Sequence, residues 1–290
     1  MLLIAGGARD PHVRRALRRA EARGIPARGL LVGPEDHPRL RLSVPEGRLV
    51  VDDEPLDVGA LWVRHDVFAA LADPRAAVAQ RALDWYEALV GYAALNPRLR
   101  ALNRDGLGRR VNKIAALGLA ASLGLRVPRT LVTSDLAALR AGPVADAVAK
   151  PLRGGALCLP LAEALAEQDP RRAAAPSPAF VQERLAGPEL RVTLVGERVF
   201  SFAIETEALD HRAEPDAPAR RVADPPPAVL GPLFALARAL GVELSAADFK
   251  RDPESGELVL LELNTQPMFT AYDTACGGAI VDAILDLLAR

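Results

Sequence analysis

The alternation of apolar and polar positions is most informative over 258–269, Leu-Val-Leu-Leu-Glu-Leu-Asn-Thr-Gln-Pro-Met-Phe. An apolar run following a loop with Pro253 and Gly256 predicts a strand. A period of two puts Leu258, Leu260, Glu262 and Asn264 on one face and Val259, Leu261 and Leu263 on the other. Apolar residues on both faces place such a strand inside a sheet. An ionised Glu in that setting needs a partner. Residues 242–250 predict the neighbouring strand, joined through a hairpin loop at 253–257. In that register Asp252 faces Leu258 and Asp248 faces Glu262. Directly opposed side chains have Cβ atoms about 5 Å apart, and two carboxylates so placed repel unless a cation lies between them. Asp248, Glu262 and Asn264 are hard oxygen donors, the set that suits Mg²⁺ when phosphates complete its shell. Carboxylates near a hairpin are more often surface charges, but the flanks here are too apolar for an exposed edge.

The rest of the chain divides by its patterning. Residues 1–95 predict an α/β unit. Short strands are expected at 2–5, 30–32, 48–51 and 60–63, with an Arg-rich amphipathic helix at 11–23 that ends at Gly24 and a long helix at 66–93. Trp85 and Tyr86 on that long helix read as core. Gly6-Gly7 follows the first strand, but GxGxxG is absent and the pair alone indicates no nucleotide. Arg64, at a strand end of an α/β sheet, is a candidate substrate contact or equally an ordinary surface arginine. Asn96-Pro97 marks a turn. Lys113 then opens an Ala/Leu-rich helix that stops near Gly124. A strand at 144–150 ends in Lys150, and Gly154-Gly155 follow, so a cation and bare backbone N–H groups can meet a phosphate. Residues 169–178 read as a surface loop, 180–185 as a strand, and Gly187-Pro188 as a hinge. Strands at 189–195 and 199–204 form a hairpin carrying Arg191. A loop at 209–227 precedes a helix at 228–240, and a terminal amphipathic helix covers 278–290.

Composition narrows the possibilities. The chain has 290 residues, half of them hydrophobic and a quarter charged, with a formal net charge of −1. This is an ordinary soluble composition with no basic field for nucleic acid. No apolar run reaches the roughly 18 residues of a membrane span, so a cytoplasmic location is the default. Cys158 and Cys276 suggest neither a disulfide framework nor a zinc site. Of 36 basic residues only Lys113, Lys150 and Lys250 are lysine. A lysine kept against so much arginine suits a compact point charge on phosphate.

Taken in order, these motifs resemble those of the ATP-grasp superfamily of carboxylate ligases over roughly 96–290. They are Lys113 opening a helix, Val-Pro-x-Thr, Ala-Lys-Pro-x-x-Gly-Gly, Gln-Glu-x-Leu-x-Gly-x-Glu-Leu-Arg, Asp248 and Glu262-x-Asn264. The resemblance implies an α/β fold with a Rossmann-like N-terminal domain (1–95), a central lid domain (96–185) and a C-terminal domain with the metal site (186–290). It implies that Lys113 and Lys150 contact the ATP phosphates, that Gln182, Glu183 and Leu185 form the adenine hinge, and that Glu189 binds the ribose. It places two Mg²⁺ ions on Asp248, Glu262 and Asn264, sets Arg191 against the transferred phosphate or the acyl phosphate, and counts Arg212 with Arg191 as catalytic. The chemistry implied is activation of a carboxylate as an acyl phosphate, followed by attack of an amine or hydroxyl.

Within the superfamily, Arg191-Val-Thr-Leu-Val-Gly, Phe202-Ala-Ile-Glu-Thr and Leu209-Asp-His-Arg212 look most like the graspetide synthetases, which join side chains of ribosomal peptides. Two features depart from that group. Thr265-Gln-Pro-Met-Phe stands where its pattern has Pro-x-Gly-Gln-Trp, and the chain reads as short for a leader-peptide insertion. A ligase acting on amino acids, similar to glutathione synthetases and ribosomal-protein glutamate ligases, is the alternative, and a non-catalytic nucleotide-binding module is a third reading. The substrate expected is a peptide or small-molecule carboxylate. No nucleic-acid or membrane partner is expected, and a homodimer is allowed.

Overall fold

The computed structural model describes residues 1–66, 73–109, 111–142, 144–152, 157–206, 208–214 and 217–289. The chain opens with β1 (Leu2–Gly7), α1 (Pro11–Ala22) and β2 (Ala27–Val32). The Asp10 carboxylate caps α1 by accepting from the His12 N–H at 2.8 Å, and Pro11 occupies the first turn, where its missing N–H costs nothing. Three short strands, β3 (Leu40–Leu42), β4 (Leu49–Val51) and β5 (Glu54–Pro55), form a separate antiparallel sheet. Next come β6 (Ala60–Val63), α2 (Ala76–Leu95) and β7 (Arg100–Ala101), and the parallel order β2-β1-β6-β7 closes the first sheet. The helix expected from 66 is seen from Ala76, and 67–72 lie outside the described residues. Trp85 and Tyr86 pack against the core beside Leu89 and Tyr92, as their pattern predicts.

Asn112 caps α3 (Lys113–Ser122), accepting from Ile114 N–H at 2.9 Å and Ala115 N–H at 3.2 Å, so Lys113 is held at the first helical position. β8 (Thr130–Asp135), α4 (Leu136–Ala141), β9 (Ala147–Pro151), β10 (Leu159–Pro160), α5 (Leu161–Ala166) and β11 (Ala174–Glu183) follow. The four strands make an antiparallel sheet in the order β10-β9-β11-β8. The surface loop expected through 178 therefore ends earlier. Alternation is weak at 174–178, but pairing with β8 extends β11 back to Ala174. Gly154 and Gly155 lie outside the described residues.

The last sheet holds β12 (Ala186–Val195), β13 (Arg198–Ile204), β14 (Ala219–Arg221), β15 (Leu244–Arg251) and β16 (Leu258–Asn264) in the order β14-β13-β12-β15-β16. α6 (Pro227–Ala239), α7 (Thr270–Ala275) and α8 (Ala279–Leu288) complete the chain. Gly187 and Pro188, expected as a hinge, are part of β12, and β14 lies inside the expected 209–227 loop.

Two expectations for 258–264 are overturned. First, β16 is the edge of its sheet. It is nonetheless apolar because α3 packs along it and the Leu260 N–H donates to Arg126 O at 2.8 Å, which covers the open side. Second, the alternation is broken by a bulge. Phe249 pairs with Leu260 while Asp248 pairs with Glu262, leaving Leu261 without an opposite residue. The extra residue turns Leu258, Leu260 and Leu263 to the core and leaves Leu261, Glu262 and Asn264 facing the other way. Asp248 thus opposes Glu262 as expected, but Arg251 rather than Asp252 faces Leu258.

One core joins the ends of the chain. Ile4 and Val13 pack with Phe200, Phe202, Phe269, Ile280 and Ile284. A second core lies between α3, α6 and the last sheet, centred on Leu233, Leu236, Phe249 and Leu260.

Candidate active site

The residues proposed from sequence converge. Lys113, Lys150, Gln182, Glu183, Leu185, Glu189, Arg191, Arg212, Asp248, Glu262 and Asn264 all line one cavity of about 360 Å³ between the antiparallel four-stranded sheet and the five-stranded sheet. Strand register explains the grouping. Arg191 pairs with Asp248 and Asp248 with Glu262, so the three form a row across β12, β15 and β16. Their side chains share the face of the sheet turned to the cavity.

The row is tightly bonded. Arg191 donates from one terminal nitrogen to both Asp248 oxygens at 2.9 and 3.2 Å, and from the other to Met268 O at 3.3 Å. Its guanidinium lies 5.0 Å from the Tyr272 ring centre. Burial raises the Tyr272 phenol to about 12. Asn264 Nδ2 donates to Asp248 Oδ2 and to Glu262 Oε1, both at 3.0 Å. Lys113 Nζ stands 2.5 Å from Glu262 Oε2. Burial pushes the Asp248 carboxyl upward, and the charges of Glu189 and Glu262 add to that push against the pull of Arg191. Burial also disfavours charge on Glu262, but Lys113 and the Asn264 amide outweigh it and hold that carboxyl low.

A metal and a triphosphate fit this donor set. Two carboxylates and an amide oxygen supply a partial oxygen shell, which suits Mg²⁺ when phosphate oxygens supply the rest. Among the described residues no three His, Cys, Asp or Glu side chains are grouped to hold a metal ion by themselves, so phosphate oxygens would have to complete the shell. The Arg191 Nε–H is buried without a hydrogen-bond partner among the described residues, and burial lowers the pKa of Lys150, whose ammonium lies 5.6 Å from the Phe180 ring. Incoming anionic oxygens would relieve both.

The expected hinge is anchored at its edges. Gln182 donates to Thr130 Oγ1 at 2.8 Å, and Glu183 accepts from the Arg129 backbone at 3.0 Å and its Nε at 2.6 Å. Arg64, the candidate substrate contact, is not in the cavity. It is buried and donates to Asp10 at 3.0 Å and to Pro267 O at 3.1 Å, so it fastens the segment after β16 to the first sheet.

Three residues that sequence reasoning assigned no separate part also face the cavity. His211 Nδ1 meets Glu189 Oε1 at 2.8 Å, and that hydrogen bond raises the His211 pKa. Asp210 accepts the Cys158 N–H at 3.0 Å and binds Arg212 at 2.6 Å. Burial opposes its charge, but these bonds hold its carboxyl at about 2. Lys250 is the third. The Asp-His-Arg triplet and the scarcity of lysine were the available signals.

No protein-family model matches the chain, and no curated protein does. Solved structures do. The ATP-grasp ligase PsnB, complexed with minimal precursor, Mg and ADP, aligns at TM-score 0.76 and 21% identity over 100% of this chain and 98% of that one. The macrocyclase MdnC from Microcystis aeruginosa MRC, bound with precursor peptide MdnA, aligns at TM-score 0.71 and 21% identity over 100% and 99%. A RimK domain ATP-grasp protein from Sphaerobacter thermophilus DSM 20745 aligns at TM-score 0.57 and 18% identity over 100% of both chains. The expectation that this chain is short is therefore corrected, because it matches PsnB and MdnC over nearly their whole lengths. Sheet order, site placement and these alignments together give the chain the ATP-grasp fold.

Proposed function

We propose that the protein is an ATP- and Mg²⁺-dependent ligase that activates a carboxylate of a peptide substrate and joins it to an amine or hydroxyl. The observation that carries this reading is the convergence in one cavity of the lysines, the hinge and the Arg191–Asp248–Glu262 row. Lys113, Lys150 and Arg212 would bind the phosphates, the hinge the adenine, and Glu189 the ribose. Asp248, Glu262 and Asn264 would hold Mg²⁺, which neutralises charge on the phosphates when bound. Arg191, whose Nε–H has no partner among the described residues, would meet the phosphate as it passes to the substrate carboxylate. The carboxylate oxygen attacks the terminal phosphorus and ADP departs. The amine or hydroxyl then attacks the acyl carbon, and phosphate leaves.

The similarity to PsnB and MdnC, both solved with precursor peptides, supports a peptide substrate over a free amino acid. The reading carries boundaries near 95 and 185 between N-terminal, lid and C-terminal domains, a cytoplasmic location, and a homodimer that sedimentation would distinguish from a monomer. Among the described residues no helix is long and apolar enough to cross a membrane.

The test is Glu262→Gln, which keeps the side-chain shape and removes one charge. With a cognate peptide the variant should release ADP at least about a hundredfold more slowly, the scale at which one electrostatic contact to a transition state acts. Undiminished ADP release by the folded variant would refute the metal assignment.

A further inference from the structure

Lys250 occupies a strand position whose alternate neighbours, Ala247 and Phe249, are in the core, while Asp248 and Lys250 face the cavity. It is buried, and its Nζ donates to the Leu209 carbonyl oxygen at 2.6 Å. Burying a flexible, charged side chain is unfavourable in both entropy and desolvation. The bond to Leu209 is the compensation visible in the structure. An ammonium reaches a single carbonyl without presenting the broad fork of a guanidinium. That fits one of the three lysines among the chain's 36 basic residues.

Leu209 belongs to a strap, 208–214, that lines the cavity and is bonded from both sides of it. On the five-stranded side Lys250 holds Leu209, and Glu189 holds His211 at 2.8 Å. On the four-stranded side the Cys158 N–H, just before β10, donates to Asp210 at 3.0 Å. Asp210 in turn fixes Arg212 through bonds of 2.9 and 2.6 Å.

We propose that Lys250 is a positioning residue: by gripping the Leu209 carbonyl it holds the strap at the cavity and so places His211 and Arg212 against the bound ligand. The nucleotide reading enters only in the identity of that ligand.

The two free cysteines give a direct readout. Cys158 lines the cavity and its N–H is bonded to Asp210 of the strap, and Cys276, between α7 and α8, serves as an internal reference. Maleimide labelling, resolved by peptide mass spectrometry, is compared in the parent, K250M and K250Q. Loss of a charged hydrogen bond acts on the scale of about tenfold or more. Cys158 should therefore label about tenfold faster in K250M with Cys276 unchanged, and K250Q, which keeps a donor, should fall between. In titrations with Mg²⁺ and a non-hydrolysable ATP analogue, K250M should weaken binding, and by less in an R212A background than in the parent, because Arg212 carries part of the effect.

Equal Cys158 rates in the parent and both variants would overturn the proposal. A parallel rise at both cysteines, the mark of general loosening, would overturn it too. K250Q alone decides the matter if K250M does not fold. A parent that binds no analogue while Cys158 still responds selectively would uphold the strap and remove the nucleotide reading.

Discussion

Burial and the Arg64 guanidinium lower the His12 imidazole from its usual 6.5 to about 3. Its Nδ1 accepts the Phe269 N–H at 3.2 Å, which helps fix the segment that follows the candidate metal strand. The sign of the pH effect follows directly. Between these two values the unfolded chain binds a proton that the folded chain refuses, so stability falls as pH drops from 6.5 toward 3. Thermal melts across that window should show a falling midpoint, and His12→Gln should flatten the slope. An equal slope in the variant would show that other groups dominate. His211 has the opposite sign. Glu189 raises its pKa, so its contribution is complete below 6.5 and is lost as pH rises through the raised value.

At the level of elements, the site is organised by one bulge and one asparagine. The bulge at Leu261 turns Glu262 and Asn264 to the cavity while Leu260 and Leu263 stay in the core. Nothing in an uninterrupted apolar run announces that extra residue, so alternation misassigned the faces even though it paired Asp248 with Glu262. Most of the motif residues were legible because they ride a strand or a helix start whose geometry fixes their direction; Leu185 and Arg212, on connecting segments, were found by motif alone. The strap bonds were not, because they join residues far apart in sequence and depend on a loop path. Asn103 sits in the left-handed region at φ 56. Its Oδ1 accepts from the N–H groups of Glu243 and Leu244 at 2.7 Å each, and its Nδ2 donates to Leu244 O at 2.9 Å. It therefore docks the start of β15 beside β7. Asn103→Ala strands buried backbone groups and gives up a tolerated left-handed residue. It should cost about 3 kcal/mol in urea unfolding, and a loss below about 0.5 kcal/mol would mean the docking is carried elsewhere.

At the scale of the whole molecule, the first helix and the last ones form a clasp. Arg15 pairs with the fully buried Asp273, Arg19 with Asp282 at 2.6 Å, and Arg23 with Asp286 at 2.6 Å. Asp273 also accepts the Val281 N–H at 2.9 Å, so it joins α1, α7 and α8. The sequence showed the Arg-rich face of α1 and the amphipathic terminal helix but not that they meet, since helix partners are not encoded in local periodicity. The two outer pairs are partly exposed and contribute little singly. Asp273→Ala leaves Arg15 and a buried N–H without partners and should cost about 3 kcal/mol. It should also lower the melting temperature far more than Asp286→Ala does, and comparable losses in the two variants would place the clasp in the outer pairs instead.

The central claim is that the cavity between the two sheets binds a nucleoside triphosphate together with Mg²⁺. Calorimetric titration of the intact protein with a non-hydrolysable ATP analogue, with and without Mg²⁺, tests it most directly. The predicted result is binding that strengthens with Mg²⁺ in the parent, loses that dependence in Glu262→Gln, and weakens in Lys150→Ala. The contradicting result is a folded parent protein that gives no binding heat with the analogue and Mg²⁺, or one whose binding is the same in all three proteins.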